Sequence, residues 1–300
     1  MSSPTVTVIV PCFDHGASLP MALASVLAQT IDDWECIVVD DGSEVPVAPL
    51  VDAFDDPRFR HFAFDDNRGR PVARQKGLDA ARGDYVCMLD ADDWFYPDKL
   101  ERQLDVFAAH PDVAGVTTSL AVHDGDGRLL GIRTATRRRL ELRKGTPLRA
   151  PVGAFPPYML RGDLARAHNF DATLERSEDR DYLTRALTGH CYAVMRRVGY
   201  AYSETYSNET MRAAVVGFHC QRRTYLHRLD EAPAVACRQL ILNAVKTAVY
   251  FTARRLGIGR WLFTRRNEPP TADQLRRFRD HRARIGQQVH RLQRVTPTSL

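Results

Sequence analysis

The chain has 300 residues, 44% of them hydrophobic and 26% charged, with 42 Lys and Arg against 37 Asp and Glu. These are globular proportions, and they exclude a disordered chain, a collagen-like chain and a membrane bundle. The net charge of +5 hides a split, because residues 1–210 carry 24 basic and 32 acidic side chains and residues 211–300 carry 18 and 5. The expected organisation is therefore an acidic body over 1–210 joined to a basic helical extension over 211–300.

Thr5 to Val10 reads as a buried strand ending at Pro11. Ser18 reads as the N-cap of a helix whose Leu19, Ala22, Leu23, Val26 and Leu27 keep helical spacing. A strand at Glu35 to Val39 stops at Asp40-Asp41-Gly42-Ser43. A helix over Val47 to Phe54, a strand near Arg60 to Phe64 and a helix over Pro71 to Ala81 follow. Tyr85 to Leu89 is a strand running into Asp90-Ala91-Asp92-Asp93. This alternation predicts an α/β fold, a mostly parallel sheet flanked by helices with right-handed connections.

Further on, Asp124 to Gly127 marks a hairpin between Val113 to Val122 and Arg128 to Arg133. From Arg133 to Arg149, seven basic residues and the single acid Glu141 suggest a loop. A helix over Glu178 to Leu187, with Ser177 as N-cap, precedes a strand at Cys191 to Val198. Helices are expected at 209–229, 232–256 and 271–293. The six cysteines form no CxxC pair, which points to a reducing compartment. The N-terminus lacks the features of a secretory signal, and Arg238, Lys246 and Arg254 interrupt the most apolar helix. The expected location is the cytoplasm, with peripheral contact at the inner face of the membrane as an option.

Ligands of open α/β sheets sit beyond the carboxyl ends of the strands. Three consecutive strand ends here carry Pro11 to Asp14, Asp40 to Ser43 and Asp90 to Asp93. Asp, Ser and Gly in such places also serve as plain turn formers. In register, however, the carboxylates suit a hard cation such as Mg²⁺ or Mn²⁺ shared with substrate phosphates. The acids of Ser177-Glu178-Asp179-Arg180-Asp181 suit a helix N-terminus electrostatically, and Asp179 could equally act as a general base toward a hydroxyl. No zinc spacing and no glycine-rich phosphate loop occurs, which weighs against a zinc hydrolase, a Rossmann dehydrogenase and a P-loop enzyme.

Val8 to Asp14, Ser25 to Thr30, Val38 to Ser43, Asn67-Arg68-Gly69, Ala73 to Gly77 and Leu89 to Asp93 together resemble the family 2 glycosyltransferases of GT-A fold, in order and spacing. The resemblance runs on through Phe170-Asp171 and Glu178 to Asp181, over roughly residues 5 to 205. It implies inverting transfer of a sugar from a nucleotide donor, UDP being the expected carrier, to an acceptor hydroxyl with the help of Mg²⁺ or Mn²⁺. By the same resemblance Pro11 and Asp14 line the nucleotide pocket, Asp41 bonds the base, and Arg74 contacts donor or pyrophosphate. Asp90 and Asp92 form the DxD signature, with Asp92 the direct metal ligand, Asp90 on ribose or metal-bound water, and Asp93 able to exchange with Asp92. Asp179 is the base.

Gln75 stands where Asn is more usual. The QxxRW motif of processive synthases is missing, which suggests single-sugar transfer. The expected acceptor is a saccharide or lipid-linked saccharide, with Tyr200, Tyr202, Ser203, Tyr206 and Ser207 as pocket candidates or simply half-buried strand positions. Other readings stay open: a nucleotidyltransferase on a similar sheet, or a silent nucleotide-sugar-binding module. The basic helices read first as a solvated face. Membrane contact through 232–263, with Val249, Phe251, Leu256, Ile258, Trp261, Leu262 and Phe263 among Lys246, Arg254, Arg255 and Arg260, is a second reading. Nucleic-acid binding has charge alone in its favour and is not expected.

Overall fold

The computed structural model describes residues 3–152, 155–204, 207–259, 261 and 265–295, with only the backbone of 208, 209 and 293–295. Tyr206, Arg260, Leu262 and Phe263 lie outside the described residues. In the first half β1 (Val6–Cys12), α1 (Leu19–Leu27), β2 (Trp34–Asp40), α2 (Ala48–Asp52), β3 (Phe59–Ala63), α3 (Arg70–Ala80) and β4 (Tyr85–Met88) alternate as the pattern requires. β5 (Trp94–Phe95), α4 (Lys99–Ala109), the hairpin β6 (Val113–His123) and β7 (Leu129–Arg133), β8 (Leu140–Lys144), β9 (Met159–Arg161) and α5 (Gly162–Arg166) follow. The remainder is α6 (Glu178–Leu187), β10 (Cys191–Ser203), α7 (Asn208–His227), α8 (Pro233–Arg255) and α9 (Ala272–Val295).

Among the described residues one mixed sheet runs β3-β2-β1-β4-β9-β6-β10-β5, with β7 on β6 and β8 on β10. β1, β2, β3 and β4 are mutually parallel, as are β6 and β10. Strand alternation divides the core in two. Val8 and Val10 face α1 and α4, whereas Ile9, Val86 and Met88 face α3, α5 and α6. The first layer also contains Phe278 and Ile285 of α9, each 1% exposed. His281 of α9 adds a hydrogen bond between its Nε2 and the Phe95 carbonyl, at 2.6 Å. The basic end of the chain is thus part of the principal core.

Several local expectations are corrected. β1 passes through Pro11 to Cys12, which pairs with Asp40. The stretch 133–149 contains the strand β8. Its Leu140-Glu141-Leu142-Arg143 alternation was hidden by the charge count, and its basic residues suit an edge. Neither expected serine cap is made: the Ser18 hydroxyl donates to the His15 carbonyl at 3.2 Å, and Ser177 sits at φ +65° without capping α6.

The Asp90 to Asp93 turn is braced from below. Ser25 Oγ accepts from Phe95 N–H at 3.0 Å, and the Gln29 amide joins the Tyr96 carbonyl to Leu100 N–H. Lys99 is 1% exposed. It donates to Gln103 Oε1 at 2.7 Å, lies 4.2 Å from the Phe95 ring centre, and is pushed down to about 8 by burial. The folded chain therefore releases this proton before the unfolded chain does, so the penalty is complete below pH 8 and is relieved as pH rises toward the unfolded value. Wild-type stability, measured against Lys99→Met by urea unfolding, is expected to gain about 3 kcal/mol between pH 7 and 10.5. A constant difference across that range would show that Lys99 keeps an ordinary pKa.

Candidate active site

The carboxyl ends of β1, β2 and β4 open on one crevice. Asp40 serves the fold: its carboxylate accepts Ser43 N–H at 3.0 Å and Val47 N–H at 3.1 Å, fixing the turn into α2. Asp41 is 3% exposed and accepts Arg68 N–H at 2.8 Å, so it holds the segment that the Asn67-Arg68-Gly69 motif marks. Burial pushes its carboxyl up, against the pull of the Arg68 and Gly69 amides. Gly42, at φ +74°, permits this approach, since a Cβ there would stand 2.4 Å from the Asp66 carbonyl carbon. Asp14 is exposed and ties the first loop to the second, accepting Glu44 N–H at 2.9 Å and donating its own N–H to Ser43 Oγ at 3.0 Å. Pro11 is buried in β1, opposite Val39.

The three aspartates after β4 differ in surroundings. Asp93 is 1% exposed, with one oxygen accepting Ser203 N–H at 2.6 Å and the other the Tyr200 hydroxyl at 2.7 Å. It belongs to the seam between this turn and β10, which corrects its assignment as an alternative metal ligand. Asp90 Oδ1 accepts from Arg74 at 2.9 Å, and the Asp90 N–H donates to the Tyr200 oxygen at 3.1 Å. Among the described residues the Asp92 carboxylate has no side-chain hydrogen-bond or ion-pair partner; its own N–H is the hydrogen-bond donor it meets. Burial, and next the charge of Asp90, push it up.

His15, Arg70 and its own N–H offset this only in part, and negative charge of this kind fits a hard divalent cation. Among the described residues no three His, Cys, Asp or Glu side chains converge on a point. The protein therefore offers Asp92 and the second oxygen of Asp90. That small donor set suits Mg²⁺ or Mn²⁺, which keep water and substrate phosphates as further ligands, and does not suit zinc.

Arg74 corrects a second expectation. Its side chain is 2% exposed and is bound to two carboxylates, Asp90 at 2.9 Å and Glu178 Oε1 at 2.7 Å. So placed, it orients the carboxylates and does not reach into the crevice. Burial disfavours its charge, but Asp90, Glu178 and Asp179 outweigh that and raise its pKa. Glu178 is likewise raised by burial, with Arg74 opposing. The Arg74 bridge ties α3 to the start of α6 across 104 positions of sequence through Glu178, and its bond to Asp90 adds the end of β4. It brings Asp179 into the same group. Asp179 accepts Arg180 N–H at 2.7 Å and remains part-exposed on the first turn of α6.

Glu178 as the partner of Arg74 and Tyr200 as the lock on the aspartate turn had no signal in the sequence, because both act across long separations. Tyr200 is fully buried, which removes it from the acceptor candidates. Ser207 caps α7, accepting Thr210 N–H at 3.0 Å. Behind α6, Ser177 Oγ donates to the Gly217 carbonyl at 3.3 Å and accepts from Gln221 Nε2 at 3.0 Å, so α7 supports the turn that carries Glu178 and Asp179. Beside Asp92 a cavity of about 760 Å³ opens between His15, the Gly125 to Gly127 turn, Ser203 and the α9 residues Phe278 and Arg282. Its size lies within the range of small-molecule sites.

A family model described as Glycosyl transferase family 2 matches residues 7–160. The chain is 34% identical over 219 residues to the succinoglycan biosynthesis protein ExoO of Rhizobium meliloti, covering 66% of this chain and 60% of that protein. It is 38% identical over 104 residues to the putative teichuronic acid biosynthesis glycosyltransferase TuaG of Bacillus subtilis, covering 34% and 41%. It thus spans less than two thirds of each relative. Residues 1–349 of S. aureus TarS, solved in complex with UDP-GlcNAc, superpose with a TM-score of 0.63 at 18% identity, over 79% of this chain and 70% of that one. The fold is that of the GT-A enzymes, with a C-terminal helical extension.

Proposed function

Because the chain belongs to glycosyl transferase family 2, we propose that it is a metal-dependent, inverting enzyme that moves one sugar from a nucleoside diphosphate sugar, with UDP as carrier, to an acceptor hydroxyl. The observation that carries this reading is the Asp90–Arg74–Glu178 bridge, which gathers the aspartate turn and the Glu178-Asp179 pair at one crevice. Asp41, Asp14 and Pro11 form the base side of that crevice. Mg²⁺ or Mn²⁺ held by Asp92 and Asp90 would neutralise the diphosphate as it leaves.

The rest is done by the chain itself. Asp179 takes the acceptor hydroxyl proton while the new C–O bond forms at the anomeric carbon and the bond to the diphosphate breaks. Arg74 and Glu178 keep the two halves of the site in register, which supplies much of the rate through positioning. The acceptor is a saccharide or lipid-linked saccharide of a surface polysaccharide or glycolipid, in keeping with the polysaccharide pathways named for two relatives. The reaction belongs in the cytoplasm, where the six free cysteines stay reduced. Residues 1–210 are the transferase domain and 211–300 its basic extension.

Asp179→Asn is expected to lower UDP release in the presence of acceptor by about 10²- to 10⁴-fold, with Mn²⁺-dependent UDP binding by calorimetry unchanged. Asp92→Asn should lower transfer as well and, unlike Asp179→Asn, remove the metal-dependent part of UDP affinity. Full transfer by the first variant, or undiminished affinity in the second, would overturn the assigned roles. A wild-type chain that binds UDP-sugars and never releases UDP would be a silent binding module.

A further inference from the structure

α8 meets the remainder of the chain along one seam. Ala236, Asn243, Tyr250 and Ala253 are its buried positions, and the Phe218 ring of α7 meets Tyr250 edge-on at 5.1 Å. On the opposite side Ile241, Leu242, Val245, Val249 and Leu256 share an arc of about 100°. All five are exposed, Ile241 and Leu256 at 66% each and Val245 at 55%. A contiguous apolar stripe of this kind marks an interaction surface.

Charge narrows the occupant. Between Glu231 and Glu268 there is no acidic residue, against seven Lys and Arg. Arg238 lies on the apolar arc and Arg255 borders it, whereas Lys246 sits on the seam side near Arg180 and Arg266. A second copy on this face would oppose cations to cations with no carboxylate to answer them. An anionic bilayer meets both needs, since acyl chains take the apolar arc and lipid phosphates take the border. The helix seats on the surface and does not cross, because no helix among the described residues is long and apolar enough to span a membrane.

We propose that the outer face of α8 is a membrane-surface seat for anionic lipid, lying in the plane of the interface with Ile241, Val245, Val249 and Leu256 in the acyl boundary. The seat goes beyond the transfer chemistry and stands independently of it. α7, to which α8 is packed, also supports Ser177 beside the acids of α6. The same helical pair therefore sets the crevice at a fixed height over the lipid, where a lipid-linked acceptor presents its sugar.

The test is flotation of the full chain with phosphatidylcholine vesicles, with and without phosphatidylglycerol. The wild type is expected to float only with phosphatidylglycerol and to be released by high salt. Val245→Glu with Val249→Glu, both at exposed positions, should lower the floating fraction at least about tenfold, with helicity and Mn²⁺-dependent UDP binding unchanged. Arg238→Glu with Arg255→Glu, both exposed, should lower it by a similar factor through charge alone. A wild type that stays in the dense fraction with phosphatidylglycerol overturns the seat, as does flotation that ignores both double variants. So does a dimer seen by light scattering that Val245→Glu with Val249→Glu dissolves while vesicle binding is absent. Retained UDP binding in every arm separates failure of the seat from failure of the transferase reading.

Discussion

Arg74→Met is expected to destabilise the chain by about 3 to 5 kcal/mol, because it leaves the Glu178 and Asp90 carboxylates without the cation they share. The loss should depend on pH in a defined sense. Burial already raises Glu178, and removing Arg74 takes away the main opposing charge. The folded variant then binds a proton that the unfolded chain gives up, so its stability falls as pH rises through the interval above the ordinary carboxylate value. Urea unfolding at pH 5 and pH 8 should show the larger deficit at pH 8. Adding Glu178→Gln to Arg74→Met should recover part of it, an interaction energy that a double-mutant cycle reads directly. Equal deficits at both values, or simple additivity, would mean that Glu178 does not depend on Arg74.

Phe278→Ala is the second large effect, at about 3 to 5 kcal/mol. The ring is 1% exposed and lies 5.7 Å from Trp94 and 5.9 Å from His123, measured between ring centres. Little but collapse of α9 could fill the hole. Were the basic extension an independent appendage, the substitution would leave unfolding of the acidic body untouched. The structure predicts that the midpoint followed by tryptophan fluorescence falls, since Trp94 of the body forms one wall of the site. An unchanged midpoint would show that α9 contributes nothing to the main core.

Much of this molecule could be read from its residues. The helix α6 falls on Glu178 to Leu187 as its apolar spacing requires, and the strands of the first half deviate by a residue or two. Periodicity works there because each element buries one face against a layer that extends along its whole length. The order of acidic motifs likewise identified the crevice. β8 escaped because a short edge strand with charges on alternate positions has the composition of a loop. Arg74 escaped as a bridge because its partners depend on loop closure between α3, β4 and α6. α9 escaped as core because its buried side chains Phe278, His281 and Ile285 leave almost no mark on a helix otherwise rich in arginine.

The irregular middle of β10 decides what the aspartate turn can be. Val194 pairs with Thr117 and Tyr200 with Leu120, so β10 spends three more residues than β6 over that interval. The excess is odd, and side-chain parity reverses across it. Val194 points into the layer with α6, whereas Tyr200 points into the layer with α1. Only in that phase does one phenol oxygen receive the Asp90 amide while its proton goes to Asp93. The turn is thereby locked when the chain folds, and a ligand finds its carboxylates already arranged. A single residue inserted or deleted between Met195 and Gly199 would rotate Tyr200 out of phase. The acidic motif would then be intact in sequence and inert in space.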